Sequence, residues 1–235
     1  MKQQRTKRVR RTGQRVRSTK KESRNYKAYV GPATTFDIAG KKQFELLQYA
    51  GLLPKHKLLD IGCGSLRAGK YIIPYSDEGN YYGLEPNKWL IKEGIQKETG
   101  KAIIEEKKPH FNYNAEFNLS EFNTSFDFIL AQSIFSHASA RQITTCLSEV
   151  KKVLTKEGLF LATFDLGTEN YIQDAWVYPD CVGYKPEFVL SLITKQGLVG
   201  YRTNLDHWGL KRKQTWYIIC HPNHQNKAYE LSRRR

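Results

Sequence analysis

The run Leu58-Leu59-Asp60-Ile61-Gly62-Cys63-Gly64-Ser65-Leu66-Arg67-Ala68-Gly69 brings an acid, closely spaced glycines and an arginine in behind two apolar residues. A turn of this kind receives a nucleotide-like ligand. Glycine leaves no side chain to block the approach of the backbone, and the helix that follows opens with N–H groups aimed at the ligand. A second acid, Glu85, comes 25 residues after Asp60, at the end of Tyr81-Tyr82-Gly83-Leu84. A carboxylate at the end of a second strand can accept both hydroxyls of a ribose.

Three ligand chemistries compete for the turn. The dinucleotide fingerprint Gly-x-Gly-x-x-Gly fails because Arg67 stands at the third glycine. The phosphate loop Gly-x-x-x-x-Gly-Lys-Ser/Thr fits from Gly64 to Lys70, but Tyr71 follows, and a phenol cannot replace the small hydroxyl that ligates magnesium. The third reading rests on resemblance. Asp60-x-Gly62-x-Gly64 resembles the first motif of class I S-adenosylmethionine (SAM)-dependent methyltransferases, with Leu66 replacing its last glycine. Glu85-Pro86-Asn87 is similar to the end of that family's second strand, and Phe126 to His137 resembles its fourth strand and the loop beyond. The apolar residues Ile143, Cys146, Leu147, Val150, Val153 and Leu154 recur at helical spacing, with Gly158 as the expected C-cap. Leu159 to Phe164 then reads as a buried strand. The resemblance extends over roughly residues 40–220.

The resemblance implies a single Rossmann-like α/β domain, with a doubly wound, mostly parallel sheet of seven strands and an antiparallel C-terminal hairpin. It implies SAM as methyl donor and S-adenosyl-L-homocysteine (SAH) as product. By position, Gly62, Cys63 and Gly64 line the methionine and ribose side, Glu85 holds the ribose hydroxyls and Asn87 assists at the adenosine. Glu116 and Phe117 fall beside the adenine, and Gln132 against the methionine portion. Asp60 either meets the ligand's amino group or bonds amides of the turn. Arg67 braces Glu85 or another acid, with an ordinary helix position as the alternative.

Methyl transfer is a displacement at an already activated sulfonium, so the protein mainly aligns nucleophile, methyl and sulfur. A base is required only where the acceptor must lose a proton. His137 after the fourth strand, His207 in the hairpin connection and Asp165 at the end of the fifth strand are the candidates. Asn/Asp-Pro-Pro-Tyr, which grips exocyclic amines in nucleic-acid enzymes, is replaced by Gln132-Ser133-Ile134-Phe135, and the Pro-Cys of cytosine C5 enzymes is missing. The run to His137 resembles bacterial enzymes acting on small molecules or sugars, which implies an oxygen of a small molecule or glycan as acceptor. The alternatives are RNA or a ribosome-associated protein, and a SAM-binding scaffold without catalysis.

The elements that must position these residues follow from periodicity and turn signals. Helices are expected at 41–52, 66–75, 88–97 and 186–196, and strands at 57–61, 81–84, 110–113, 197–203 and 214–220. Tyr26 to Ala39 reads as a lead-in loop. Gly167 to Lys185, with Tyr171, Trp176, Tyr178 and Tyr184, is either a wall for the acceptor or a loop packed by its own aromatics.

The chain has 235 residues and a net charge of +15, most of it terminal. Residues 1–27 carry +11, residues 233–235 carry +3, and residues 28–232 only +1. The expected organisation is a disordered basic tail (1–27), a methyltransferase domain (28–232) and a basic end (233–235). Such a tail is either a solvated arm or a contact for RNA, a ribosomal surface or anionic lipid. No transmembrane run or secretory signal is read, and Cys63, Cys146, Cys181 and Cys220 show no metal-like pairing. They are read as reduced thiols of a cytoplasmic protein.

Overall fold

The computed structural model describes residues 25–203 and 214–233. The strands are β1 (Leu58–Ile61), β2 (Tyr81–Leu84), β3 (His110–Asn112), β4 (Phe126–Ala131), β5 (Leu154–Asp165), β6 (Val199–Arg202) and β7 (Gln214–Cys220). They form one seven-stranded sheet in the order β3-β2-β1-β4-β5-β7-β6. The pairs from β3 to β5 are parallel, and β7 runs antiparallel between β5 and β6. The strand order reverses between β1 and β4, and sheets of this kind bind ligands outside the carboxyl ends of the strands at that switch point.

Alternation along the strands feeds two cores. Leu59, Ile61, Ile129, Ala131, Phe160 and Ala162 face one cluster, shared with α6 (Ala140–Val153) and α7 (Pro186–Lys195). Leu58, Phe128, Leu130, Leu159 and Leu161 face the other, shared with α2 (Phe36–Tyr49), α3 (Gly69–Tyr75) and α8 (Gln225–Arg233). A two-sided core explains why β1 and β2 are buried at every position. Ser139 and Gln142 close a capping box at the start of α6, which fixes where the loop after β4 ends. No helix among the described residues is long and apolar enough to cross a membrane.

Several expectations are corrected. The lead-in loop contains α1 (Tyr26–Tyr29), and α2 begins at Phe36 rather than Lys41. Residues 25–27 therefore belong to the folded body. Asn25 caps α1, the Tyr26 hydroxyl donates to Glu98 at 2.6 Å, and Lys27 pairs with Glu98 at 3.0 Å. Arg233, assigned to a basic end, closes α8. Gly158 caps nothing: α6 ends at Val153, and Gly158 lies within β5, where the pairing with β4 skips from Leu154 to Leu159. The helix after the glycine turn starts at Gly69, not Leu66, because Leu66 has φ 60°. Leu66 thus holds the left-handed conformation that the missing glycine would take. That costs a non-glycine residue about 1–2 kcal/mol, and full burial of the leucine, worth about 1.5–3 kcal/mol, offsets it.

The turn is gripped from both sides by helical glycines. A Cβ on Gly40 of α2 would stand 2.0 Å from the Arg67 carbonyl oxygen. One on Gly94, the last residue of α4 (Lys88–Gly94), would stand 2.5 Å from the Ser65 carbonyl oxygen. Gly40→Ala is accordingly expected to lose about 1–3 kcal/mol of stability by overpacking. That outweighs the gain of about 1 kcal/mol that alanine brings to a helix interior. Urea unfolding measures the difference, and a variant more stable than the parent would refute the close approach.

Candidate active site

A cavity of about 760 Å³ opens beyond the ends of β1, β2 and β4, within the size range of ligand sites. Its floor is Ile61, Gly62, Gly64, Leu84, Glu85, Gln132 and Ser133. Of the residues expected around the donor, Asn87, Arg67, Glu116 and Phe117 also line it. Glu85 is only 6% exposed. It accepts the Gly64 N–H at 3.1 Å, and the backbone N–H and side-chain amide of Asn87 at 2.8 and 2.9 Å. Burial raises its pKa, and these three bonds oppose the rise. The acid of the second strand is therefore bonded directly to the glycine turn of the first. A desolvated carboxylate whose only donors so far are amides is chemically suited to the vicinal hydroxyls of a ribose.

Asp60 and Cys63 do not line this cavity. They sit behind its wall, on a void of about 20 Å³ shared with Gln43, Arg67 and Gln132. Asp60 accepts the Tyr81 hydroxyl at 2.9 Å, and burial raises the Cys63 thiol well above its ordinary pKa. Arg67 precedes α3 rather than lying within it, and the acid on which its charge acts is Asp60. Its guanidinium donates to the Val30 carbonyl at 2.6 Å and to the Gln132 amide oxygen, and its charge favours ionised Asp60. Gln132 in turn donates to the Gln214 oxygen at 2.8 Å and receives the Gln43 amide at 3.3 Å. Each partner comes from a different element, and no sequence spacing announces Gln43, Tyr81 or Gln214 as members.

The opposite wall comes from two segments far apart in the chain. One is Ala28–Ala33, which runs over the glycine turn. The Val30 side chain lies where a Cβ on Gly64 would be, 2.6 Å away, and the Ser65 hydroxyl donates to the Tyr26 carbonyl at 3.1 Å. The other is the aromatic insertion. Its two readings are both realised, by different residues. Tyr184 is fully buried and Tyr171 packs against the core, whereas Trp176, Tyr178 and Pro179 line the cavity. The segments meet where the Tyr178 hydroxyl donates to the Tyr29 carbonyl and the two rings lie 5.2 Å apart.

His137 lines the cavity and is 7% exposed. Its Nδ1 lies 2.6 Å from the Asp180 carbonyl oxygen. A carbonyl only accepts, so Nδ1 carries a proton, and in the uncharged form of the ring the lone pair is on Nε2. The ring also packs against Tyr178 and Trp176, with centroids at 5.1 and 5.8 Å. Asp165 does not line the cavity, because it ends β5 opposite Gln214, away from the switch point. His207 lies outside the described residues.

Residues 59–160 match the family described as methyltransferase domain. Among solved structures, the fold is similar to a magnesium protoporphyrin IX methyltransferase from Synechocystis PCC 6803 with bound SAM. That match has a TM-score of 0.60 at 13% identity over 84% of each chain. A SAM-dependent methyltransferase from Clostridium acetobutylicum aligns over 86% of this chain and 98% of its own, with a TM-score of 0.62 at 13% identity. The glycopeptide N-methyltransferase MtfA complexed with SAH aligns over 79% and 90%, with a TM-score of 0.61 at 12% identity.

Asp60 gives the site a pH signature. Burial pushes its carboxyl up to about 7, against the Tyr81 bond and the Arg67 charge. The unfolded chain gives up this proton near pH 3.9. Between about pH 4 and 7 the folded state therefore holds a proton that the unfolded state has lost, so this group's contribution to stability falls as pH rises through that window. The ceiling on the effect is about 4 kcal/mol. Asp60→Asn removes the titration, so its stability relative to the parent is expected to rise by about 1–3 kcal/mol between pH 5 and pH 8. Urea unfolding at the two pH values measures this, and a constant difference would count against the assignment.

Proposed function

We propose that this chain, a class I SAM-dependent methyltransferase by its domain and its fold, moves the methyl group of SAM to a hydroxyl oxygen of a small or glycan-like acceptor, with His137 as the general base. The observation that carries the reading is the His137 bond to the Asp180 carbonyl, which leaves Nε2 as the basic nitrogen in a ring that lines the cavity. Glu85 binds the ribose hydroxyls and Asn87 supports it. Gly62 and Gly64 admit the donor close to the backbone, Glu116 and Phe117 border the adenine, and Gln132 faces the methionine portion. Asp60, Cys63 and Arg67 act from behind this surface, Arg67 by holding Gln132 and the Val30 carbonyl in place.

SAM bound there supplies an electrophilic methyl group. The residues of this chain hold the acceptor oxygen in line with it, exclude water through the Ala28–Ala33 segment, and take the hydroxyl proton on His137 Nε2. A second reading keeps the reaction and changes the acceptor to RNA or a ribosome-associated protein. It is favoured by the +11 charge of residues 1–27, which run into the cavity wall at Ala28.

Incubation with labelled SAM and fractionated cell extract tests the acceptor class, and label in a small molecule or glycan is expected. Transfer confined to RNA or protein, and abolished by removing residues 1–24, would replace the first reading with the second. His137→Gln is expected to lower kcat by roughly 10²- to 10⁴-fold while leaving SAM affinity intact. An unchanged kcat would remove His137 from the mechanism. For the donor site, Glu85→Ala is expected to weaken SAM binding by about 1–3 kcal/mol, roughly 5- to 150-fold, in calorimetry. Unaltered affinity in a folded variant would exclude the ribose placement.

A further inference from the structure

The insertion between β5 and α7 is fastened more thoroughly than a loop requires. Val177 N–H donates to the His137 carbonyl at 2.9 Å, Val182 N–H to the Ser136 carbonyl at 2.8 Å, and Asp180 accepts from His137 Nδ1. Asp174 accepts the Ser139 hydroxyl at 2.8 Å and Arg141 Nε at 2.6 Å. Tyr184 is buried, with its hydroxyl on the Ala138 carbonyl at 2.8 Å. These bonds hold the insertion against the loop that carries His137. Yet Trp176 stays 45% exposed and Tyr178 36% exposed, both on the cavity wall. Aromatic area left uncovered on a rigid support next to a base is a binding surface rather than core.

The wall's charges narrow what binds there. Among the described residues it holds one cation, Arg67, engaged with Val30 and Gln132, and two acids, Glu85 and Glu116. Among the described wall residues, a phosphate or carboxylate would meet no cation beyond Arg67 and two carboxylates that repel it. The uncharged donors and acceptors are suited to hydroxyls instead. Gln142, whose side-chain oxygen caps α6 by accepting the Ser139 N–H, still has two amide N–H donors. The Tyr178 and Trp176 ring centroids lie 5.1 and 5.8 Å from the imidazole, so both aromatics stand within one ring's width of His137.

We propose that Trp176 and Tyr178 form the acceptor platform, and that the acceptor is a neutral sugar ring. Its apolar C–H face lies on the two aromatic rings, one edge hydroxyl meets His137, and others meet Gln142. This rests on the methyltransferase reading above and names the acceptor class for it. Saturation-transfer NMR on the SAH-loaded full chain tests the proposal. The probes are methyl glycosides of glucose, mannose, galactose and rhamnose, with phenol and adenosine monophosphate alongside. At least one glycoside is expected to receive saturation on its ring C–H protons. Its affinity should fall tenfold or more in Trp176→Ala and return in Trp176→Phe, with SAH affinity equal in all three proteins. Signal from phenol or the nucleotide alone, or glycoside binding indifferent to Trp176→Ala, overturns the proposal. A chain that fails to bind SAH overturns the donor-site reading beneath it, and that failure is seen before any glycoside is added.

Discussion

Arg67 is the contact on which the arrangement of the cavity depends. One guanidinium reaches the backbone of the segment over the glycine turn, the amide at the end of β4, and the field of the buried acid at the end of β1. Strand pairing already ties β1 to β4, and Arg67 fastens the segment over the turn to their ends. A lysine would preserve the charge but not the planar fork that serves two acceptors at once. The bonds also fix Gln132, whose oxygen points to Arg67 and whose nitrogen points to Gln214, so the amide cannot flip without losing both. Orientation at the floor is thus set by a chain of hydrogen bonds rather than by packing alone.

The turn itself works under a different constraint, which is lack of space. Gly62 and Gly64 have φ of 69° and 55°, and Leu66 continues the pattern at 60°. Gly40 and Gly94 let two helices touch the turn's carbonyls from either side. The sequence deviation at Leu66 is therefore not a loss of the backbone shape. The side chain sits in the core between the helices, which a glycine could not do, and its burial covers the conformational cost.

The cavity floor was legible in the sequence because its requirements are local. An acid, two glycines and a second acid after one strand–helix–strand unit suffice to place Gly62, Gly64 and Glu85 at one floor. Strands β2 and β7 were readable residue by residue, since buried strands carry continuous apolar runs. The misreadings have physical causes. Tyr26 to Ala39 looked like a loop because α1 is one turn long and is held by an ion pair and a hydrogen bond to Glu98, distant in sequence. Gly158 looked like a cap because a glycine just past a helical run is a common helix end, whereas here β4 pairing takes over immediately after Val153. Asp165 lies at the end of its strand as expected, but β5 is displaced from the switch point by β4, so its end does not reach the cavity.

The opposite wall resisted reading for the opposite reason: it exists only in three dimensions. Tyr29 and Tyr178 lie 149 residues apart, and their contact closes the wall. The aromatic insertion is sorted by burial alone, with Tyr184 taken into the core and Trp176 left at the cavity. Nothing in the spacing of these residues distinguishes the two fates. The separation has a mechanistic consequence. The floor is tied to the sheet through Glu85, Gly64 and Gln132, while the opposite wall is tied to the loop after β4 through backbone bonds of the insertion. Side chains of the opposite wall can therefore change without disturbing the bonds that hold the floor, and His137 is where the two halves meet. It is fixed by the insertion through Nδ1, and it stands in the loop that begins at Gln132.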